Sequence, residues 1–246
     1  MTYHPYFIEG ADRPARFLIT CDHAANTVPE FVNGGTLGLA EADMTRHIAY
    51  DVGAAGLTRE LARQLDAPAI LSNFSRLVID PNRGEDDPTL LMKLYDGTII
   101  PGNRHANEAE LQTRLNRCYR PYHTALAELA ARRPDTVIVS VHSFTPQLQG
   151  RPPRPWHVGV LHAADTRLTD PMVDHLRAEQ DLCIGVNEPY GGHLPGDAIA
   201  RHAIAYQRPN ALLELRNDLI RDTADQQAWG QRLAPILERA AATAGV

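Results

Sequence analysis

The sequence predicts an α/β domain with helices packed on both faces of a central sheet, and two observations carry that expectation. Short apolar runs alternate with longer segments of helical periodicity, the pattern of layered α/β proteins. Two of the runs also stop abruptly in polar side chains. Arg16-Phe-Leu-Ile-Thr-Cys21 gives way to Asp22, His23 and Asn26, and Thr136-Val-Ile-Val-Ser-Val141 to His142 and Ser143. Buried strands ending this way deliver side chains to the carboxyl edge of a sheet, where open α/β sheets bind their ligands.

Composition narrows the classes. A chain of 246 residues, 43% hydrophobic and 22% charged, can bury a core without covalent staples. No linker divides it, so a single domain over 1–246 is expected. The net charge of -6 argues against nucleic acid as the main partner. Lys93 is the only lysine, and the abundant arginines are the better clamps for a small anionic substrate. Cys21, Cys118 and Cys183 lack C-x-x-C spacing and read as reduced thiols of a cytoplasmic protein. No leader pattern opens the sequence and no run approaches the roughly 18 apolar residues of a membrane span, so no membrane partner is expected. Homo-oligomers are left open.

In chain order, a helix is expected from about Glu41 to Gln64, with Ile48, Val52, Leu57 and Leu61 near helical spacing. His47 and Asp51 would then share a face, as a local hydrogen-bonded pair or, less simply, as metal ligands. Ala69–Asn73 and Leu77–Ile79 read as two short strands leading into Asp80-Pro-Asn-Arg83, and 84–107 as a long surface excursion. A helix from about Ala106 carries Leu111, Leu115, Tyr119, Tyr122 and Leu126, with Pro121 kinking it and the tyrosines packing in the core. Strands follow to His142, over His157–Leu161 and over Leu182–Val186, with a helix from about Thr169 to Glu179 before the last. Tyr190-Gly-Gly-His193 reads as a loop over the sheet edge. Asn210–Asn217 is a strand, and a closing helix from Asp222 is offered a capping box by Thr223 and Gln226.

The strand ends gather His23, Arg76, Asn82, Arg83, His142 and Glu214. A carboxylate inside Ala211-Leu-Leu-Glu-Leu215 is costly to bury. It reads either as a salt bridge to Arg216 or Arg201 or as a base facing a pocket. Two histidines from different strands, one further ligand and a nearby glutamate are the parts of a catalytic zinc site. Serine-hydrolase, P-loop and dinucleotide motifs are missing, and Cys21 is a poor nucleophile inside an apolar run.

Cys21-Asp-His-Ala-Ala-Asn-Thr-Val-Pro29, Asp43-Met-Thr-Arg-His-Ile-Ala-Tyr-Asp51-Val-Gly-Ala54, Ser75-Arg-Leu-Val-Ile-Asp-Pro-Asn-Arg83, Val141-His-Ser143 and Leu213-Glu-Leu-Arg-Asn217 together resemble the N-formylglutamate amidohydrolase family. The resemblance implies a three-layer α/β/α sandwich around a mixed sheet, similar to zinc carboxypeptidases and aspartoacylases. It implies hydrolysis of N-formyl-L-glutamate to formate and glutamate, the last step of one histidine-degradation route. It makes His23 and His142 ligands of a divalent metal, zinc first and cobalt second. It makes Glu214 the base and Arg76 the group that polarises the scissile carbonyl. Asn82 and Arg83 grip the substrate carboxylate, and Ser143 joins the substrate-binding group. The relatives use His-x-x-Glu where this chain has Asn26, so the third ligand is Asn26, Asp51 or Asp22. A carboxylate binder without metal, or a deacylase for another acyl group, are the alternatives.

Overall fold

A computed structural model describes residues 3–192 and 194–246. Met1, Thr2 and His193, the last expected in the loop over the sheet edge, lie outside the described residues. Strands β1 (Tyr6–Glu9) and β2 (Phe17–Cys21) precede a loop, the single turn α1 (Glu41–Met44) and helix α2 (Ala54–Gln64). Strand β3 (Ala69–Ser72) is followed by the hairpin β4 (Leu94–Tyr95) and β5 (Thr98–Ile99), then α3 (Pro101–Arg104), α4 (Glu108–Arg114) and α5 (Arg120–Ala131). Next come β6 (Val137–Phe144), β7 (Val158–Leu161), α6 (Thr169–Arg177), β8 (Ile184–Val186), α7 (Ala198–His202), β9 (Asn210–Arg216) and α8 (Thr223–Ala244).

Seven strands form one sheet in the order β1-β3-β2-β6-β9-β7-β8. Strands β3, β2, β6 and β9 run parallel, β7 is antiparallel to β9, and β1 is antiparallel to β3. The sheet is therefore mixed, as the resemblance implies. Alternation sorts each strand's side chains onto two faces. Phe17, Ile19 and Cys21 of β2, with Val137, Val139 and Val141 of β6 and Leu213 of β9, pack against Leu57 and Leu61 of α2, Met172 of α6 and Leu237 of α8. The opposite set, Leu18, Ile70 and Ile138, packs against Tyr122 and Leu126 of α5 and the buried residues Ile48, Leu77 and Val78. Both faces are covered, which explains strands buried along their whole length.

Several local expectations fail for identifiable reasons. The long helix from Glu41 to Gln64 is broken, because residues 45–53 leave helical geometry and Gly53 starts α2 at φ +82. His47 and Asp51 consequently share no helix face. Residues 77–79 form no strand, and 76–78 make a turn instead: Ser75 Oγ donates to the Ala49 carbonyl and accepts from the Leu77 amide, folding the chain inward. Pro121 lies in the first turn of α5 behind a π-helical turn at Leu115–Tyr119, so the wider turn takes up the irregularity. Asp222, not Thr223, caps α8, accepting from the Asp225 amide. Strand β1, whose side chains are half exposed on the sheet edge, is not among the expected strands.

Gly53 is the tightest of these joints. A Cβ there would collide with the Ile220 carbonyl oxygen, and its positive φ strains any L residue. Gly53→Ala should destabilise the protein by about 2–3 kcal/mol, combining left-handed strain with overpacking, as read from urea denaturation midpoints.

Candidate active site

The site sits where β2, β6 and β9 lie side by side. The register puts His142 opposite Glu214 and Ser140 opposite Thr20, on the face that carries Asp22 two residues later. His23 follows directly after β2. Its carbonyl accepts the backbone N–H of Asp51 at 2.9 Å, and this bond pulls the segment before α2 over the strand end. The rings of His23 and His142 meet edge to face, with centroids 4.9 Å apart.

The proton positions follow from the neighbours. His23 Nε2 lies 2.7 Å from Asp80 Oδ1, a carboxylate that can only accept, so that nitrogen carries its hydrogen. His142 Nε2 faces Ser140 Oγ at 3.1 Å and Asp22 Oδ2 at 3.4 Å, and Tyr122 donates to the other Asp22 oxygen at 2.6 Å. Both imidazoles therefore turn Nδ1 toward a single oxygen, Asp51 Oδ2, at 3.3 Å for His23 and 2.8 Å for His142. Three lone-pair donors, all buried and within 4.8 Å of one another, need a positive charge between them. In the protein alone a proton serves. Burial disfavours a charged His142, but hydrogen bonds to Asp22 and Asp51 outweigh it and raise the group well above the ordinary imidazole value. Burial likewise works against an ionised Asp51, and His23 and His142 overcome it. The donor set of His23, Asp51 and His142 could hold a divalent cation.

Beside this cluster is a cleft of about 470 Å³, lined among others by His23, Asp51, Arg76, Asn82, Arg83, His142, Ser143 and Glu214. Glu214 makes neither expected salt bridge. Arg216 pairs with Asp218, Arg201 donates to the Tyr119 hydroxyl, and Glu214 Oε2 is buried without a partner among the described residues. Burial pushes its carboxyl up to about 7, and the nearby His142 opposes the shift. Gly159 of β7 leaves room here, since a Cβ would run into the Glu188 carbonyl oxygen and crowd Glu214 Cβ.

Arg76 donates to Asp51 Oδ1 at 3.4 Å and to Asp80 Oδ2 at 2.9 Å, while its buried Nε has no partner among the described residues. Asn82 accepts the Ala198 amide, and Arg83 donates to Thr89 and to the Asn82 carbonyl. Ser143 donates its hydroxyl to the Val52 carbonyl and its backbone N–H to Asp51. Asn26 is a correction: its amide donates to the Met44 carbonyl at 2.8 Å, and it does not line the cleft. The turn after Asp22 carries it toward α1. Asp22 holds His142 from behind. Cys21 faces the opposite layer, with burial pushing its thiol up.

Sequence reasoning missed the orienting residues. Asp80 fixes His23, anchors Arg76 and accepts the Asn82 amide at 2.9 Å. Its place in Asp80-Pro-Asn-Arg83 was visible, but only the fold shows that it reaches His23. Tyr122, expected as packing, also fixes Asp22.

The model of the family described as N-formylglutamate amidohydrolase matches residues 15–221. The chain belongs to the N-formylglutamate amidohydrolase family. Gene product Atu2144 from Agrobacterium tumefaciens is similar in structure, with a TM-score of 0.92 at 33% identity, covering 98% of this chain and 96% of that one. N-formylglutamate amidohydrolase from Ralstonia eutropha JMP134 shares the fold at TM-score 0.65 and 23% identity, covering 98% and 99%. A bacteriophage poly-gamma-glutamate hydrolase shares it more distantly, at TM-score 0.50 and 12% identity over 99% and 91%. No curated protein sequence matches. Among the described residues no helix is long and apolar enough to cross a membrane.

The raised Glu214 carboxyl fixes a pH dependence for the metal-free protein. Its folded value of about 7 exceeds the ordinary 4.5, so its contribution to stability is fully present below 4.5 and lost as pH rises through 7. Glu214→Gln should therefore gain on the wild type between those values, by on the order of 3 kcal/mol above neutrality, in denaturation curves recorded across pH.

Proposed function

We propose that this protein hydrolyses the amide bond of an N-acylated acidic amino acid, with N-formyl-L-glutamate, released as formate and L-glutamate, as the first substrate. His23, Asp51 and His142 would hold a divalent metal, zinc or cobalt. One observation carries the reading: two Nδ1 atoms and an Asp51 oxygen converge beside a buried carboxylate that has no partner of its own among the described residues. Three protein ligands with a neighbouring base are the make-up of catalytic rather than structural zinc sites. When bound, the ion supplies Lewis acidity to the amide carbonyl and acidifies an attacking water.

The chain's own residues do the rest. Glu214 takes a proton from the water and returns it to the leaving amine, and a carboxyl near neutrality suits both transfers. Arg76, anchored from two sides, stabilises charge on the carbonyl oxygen. Asn82 and Arg83 hold the α-carboxylate. Ser143 contributes through its backbone N–H to Asp51. A metal-free carboxylate binder is the second reading, and Asp51 beside the two Nδ1 atoms favours the metal-dependent one.

Formate release from N-formyl-L-glutamate by the zinc- or cobalt-loaded protein tests the reading, with N-formyl-L-aspartate and N-acetyl-L-glutamate as comparisons. Glu214→Gln should keep its metal and lose about 10²–10⁴-fold in kcat. His142→Ala should lose the metal in elemental analysis. A Glu214→Gln protein with normal turnover would remove the mechanism.

A further inference from the structure

Tyr190 lines the cleft from the loop after β8, and its hydroxyl is engaged on one side only. Arg154 Nη1 donates to the phenol oxygen at 3.1 Å, and the guanidinium carbon stands 4.9 Å from the ring centroid. A guanidinium has no lone pair to accept with, so the hydroxyl's own hydrogen points elsewhere, and no acceptor takes it among the described residues. Burial first, and then Tyr95 and Glu214, hold the phenol well above its ordinary pKa against the pull of Arg154, so the hydrogen stays on the oxygen at neutral pH. The cleft wall therefore carries a donor with a cation behind it, a chain in which one bond polarises the next.

The charges around the cleft point to an anion. Arg154 lies between Pro153 and Pro155, its Nη1 also donates to the Thr145 carbonyl at 3.1 Å, and its guanidinium is 5.7 Å from the Phe144 ring centroid. Phe144 and Thr145 line the cleft beside Tyr190. Among the described residues no carboxylate pairs with Arg154, and none pairs with Arg83, which donates to Thr89 and to the Asn82 carbonyl. The acids of the cleft are committed. Asp51 faces two imidazoles and Arg76, Asp197 accepts the Ala200 and Leu194 amides, and burial pushes the Glu214 carboxyl up to about 7. Arg83 reaches the cleft from the segment after β3 and Tyr190 from beyond β8, with β6 and β9 between those strands. Two guanidiniums without a carboxylate, approaching from two sides, suit a ligand with two negative charges.

We propose that the Tyr190 hydroxyl, backed by Arg154, is the donor for the second carboxylate of a dicarboxylic substrate whose first carboxylate lies on Asn82 and Arg83. The inference rests on the hydrolase reading, for it names what separates an acidic side chain from a neutral one. A methyl group in place of that carboxylate would leave the phenol hydrogen without an acceptor and Arg154 without a counter-charge.

Calorimetry with glutarate and butyrate on the zinc-loaded protein tests this without requiring turnover. The wild type should bind glutarate about 10–100-fold more tightly than butyrate, the worth of one charge-assisted hydrogen bond. Tyr190→Phe, which removes a single oxygen, should cut that preference about 10-fold with metal content unchanged. Arg154→Met should lower the preference too, and Arg154→Lys, which still offers the phenol oxygen a charged donor, should restore it. An arginine that merely braced the two loops would weaken both ligands alike and show no such rescue. A wild type indifferent to the second carboxylate, or a folded Tyr190→Phe protein that keeps the preference, overturns the subsite; if the phenylalanine variant does not fold, the two arginine variants decide it. Turnover separates the two ideas: a dicarboxylate preference with no hydrolysis of any N-acyl amino acid sinks the enzyme reading, and hydrolysis without the preference sinks the subsite alone.

Discussion

Two imidazole nitrogens and one carboxylate oxygen point at the same place inside the protein, and the rest of the structure is arranged around that convergence. Burying three aspartates beside two histidines is expensive unless each is paired. Here every carboxylate has a duty: Asp80 holds His23, Asp22 stands behind His142, and Asp51 faces both Nδ1 atoms. Because Asp80 and the Asp22–Ser140 pair face the Nε2 side of each ring, the edge each imidazole turns toward Asp51 is set by its surroundings rather than by chance. Removing any one of these groups would leave its partner buried and uncompensated, so their substitutions should not be additive.

The sheet makes this possible. Strands β2 and β6 are parallel neighbours, and β9 lies on the far side of β6, so three segments distant in sequence end together. A slip of one residue in β6 would send His142 to the opposite layer and turn Val139 and Val141 into the site. Two irregular segments supply what strands cannot. Residues 45–53 leave the helix to bring Asp51 onto the His23 backbone, and the Ser75 turn brings Arg76, Asp80 and Asn82 in from the other side. Arg76 joins both segments by donating to Asp51 and Asp80 together.

This division explains what could be read from the sequence. The strand ends at His23 and His142 and the carboxylate within Ala211–Leu215 were legible because a change from apolar to polar marks where a buried strand meets a pocket. Asp51 was visible as a candidate but placed on a helix, since residues 48–65 keep helical spacing of apolar residues even where Gly53 breaks the backbone. Asn26 misled for a related reason: spacing from His23 says nothing about the direction of the turn, which leads to Met44. The contacts of Asp80 with His23 and of Tyr122 with Asp22 are long-range pairings with no local signature. Tyr122 and Asp22 are separated by 100 residues.

The most direct test of the convergence is anomalous diffraction at the zinc edge from crystals of the zinc-loaded protein. The account predicts a single strong peak about 2.0–2.2 Å from His23 Nδ1, His142 Nδ1 and an Asp51 carboxylate oxygen, the ordinary range for zinc with nitrogen and oxygen ligands. A peak bonded through either Nε2, or one that leaves Asp51 out, would contradict it.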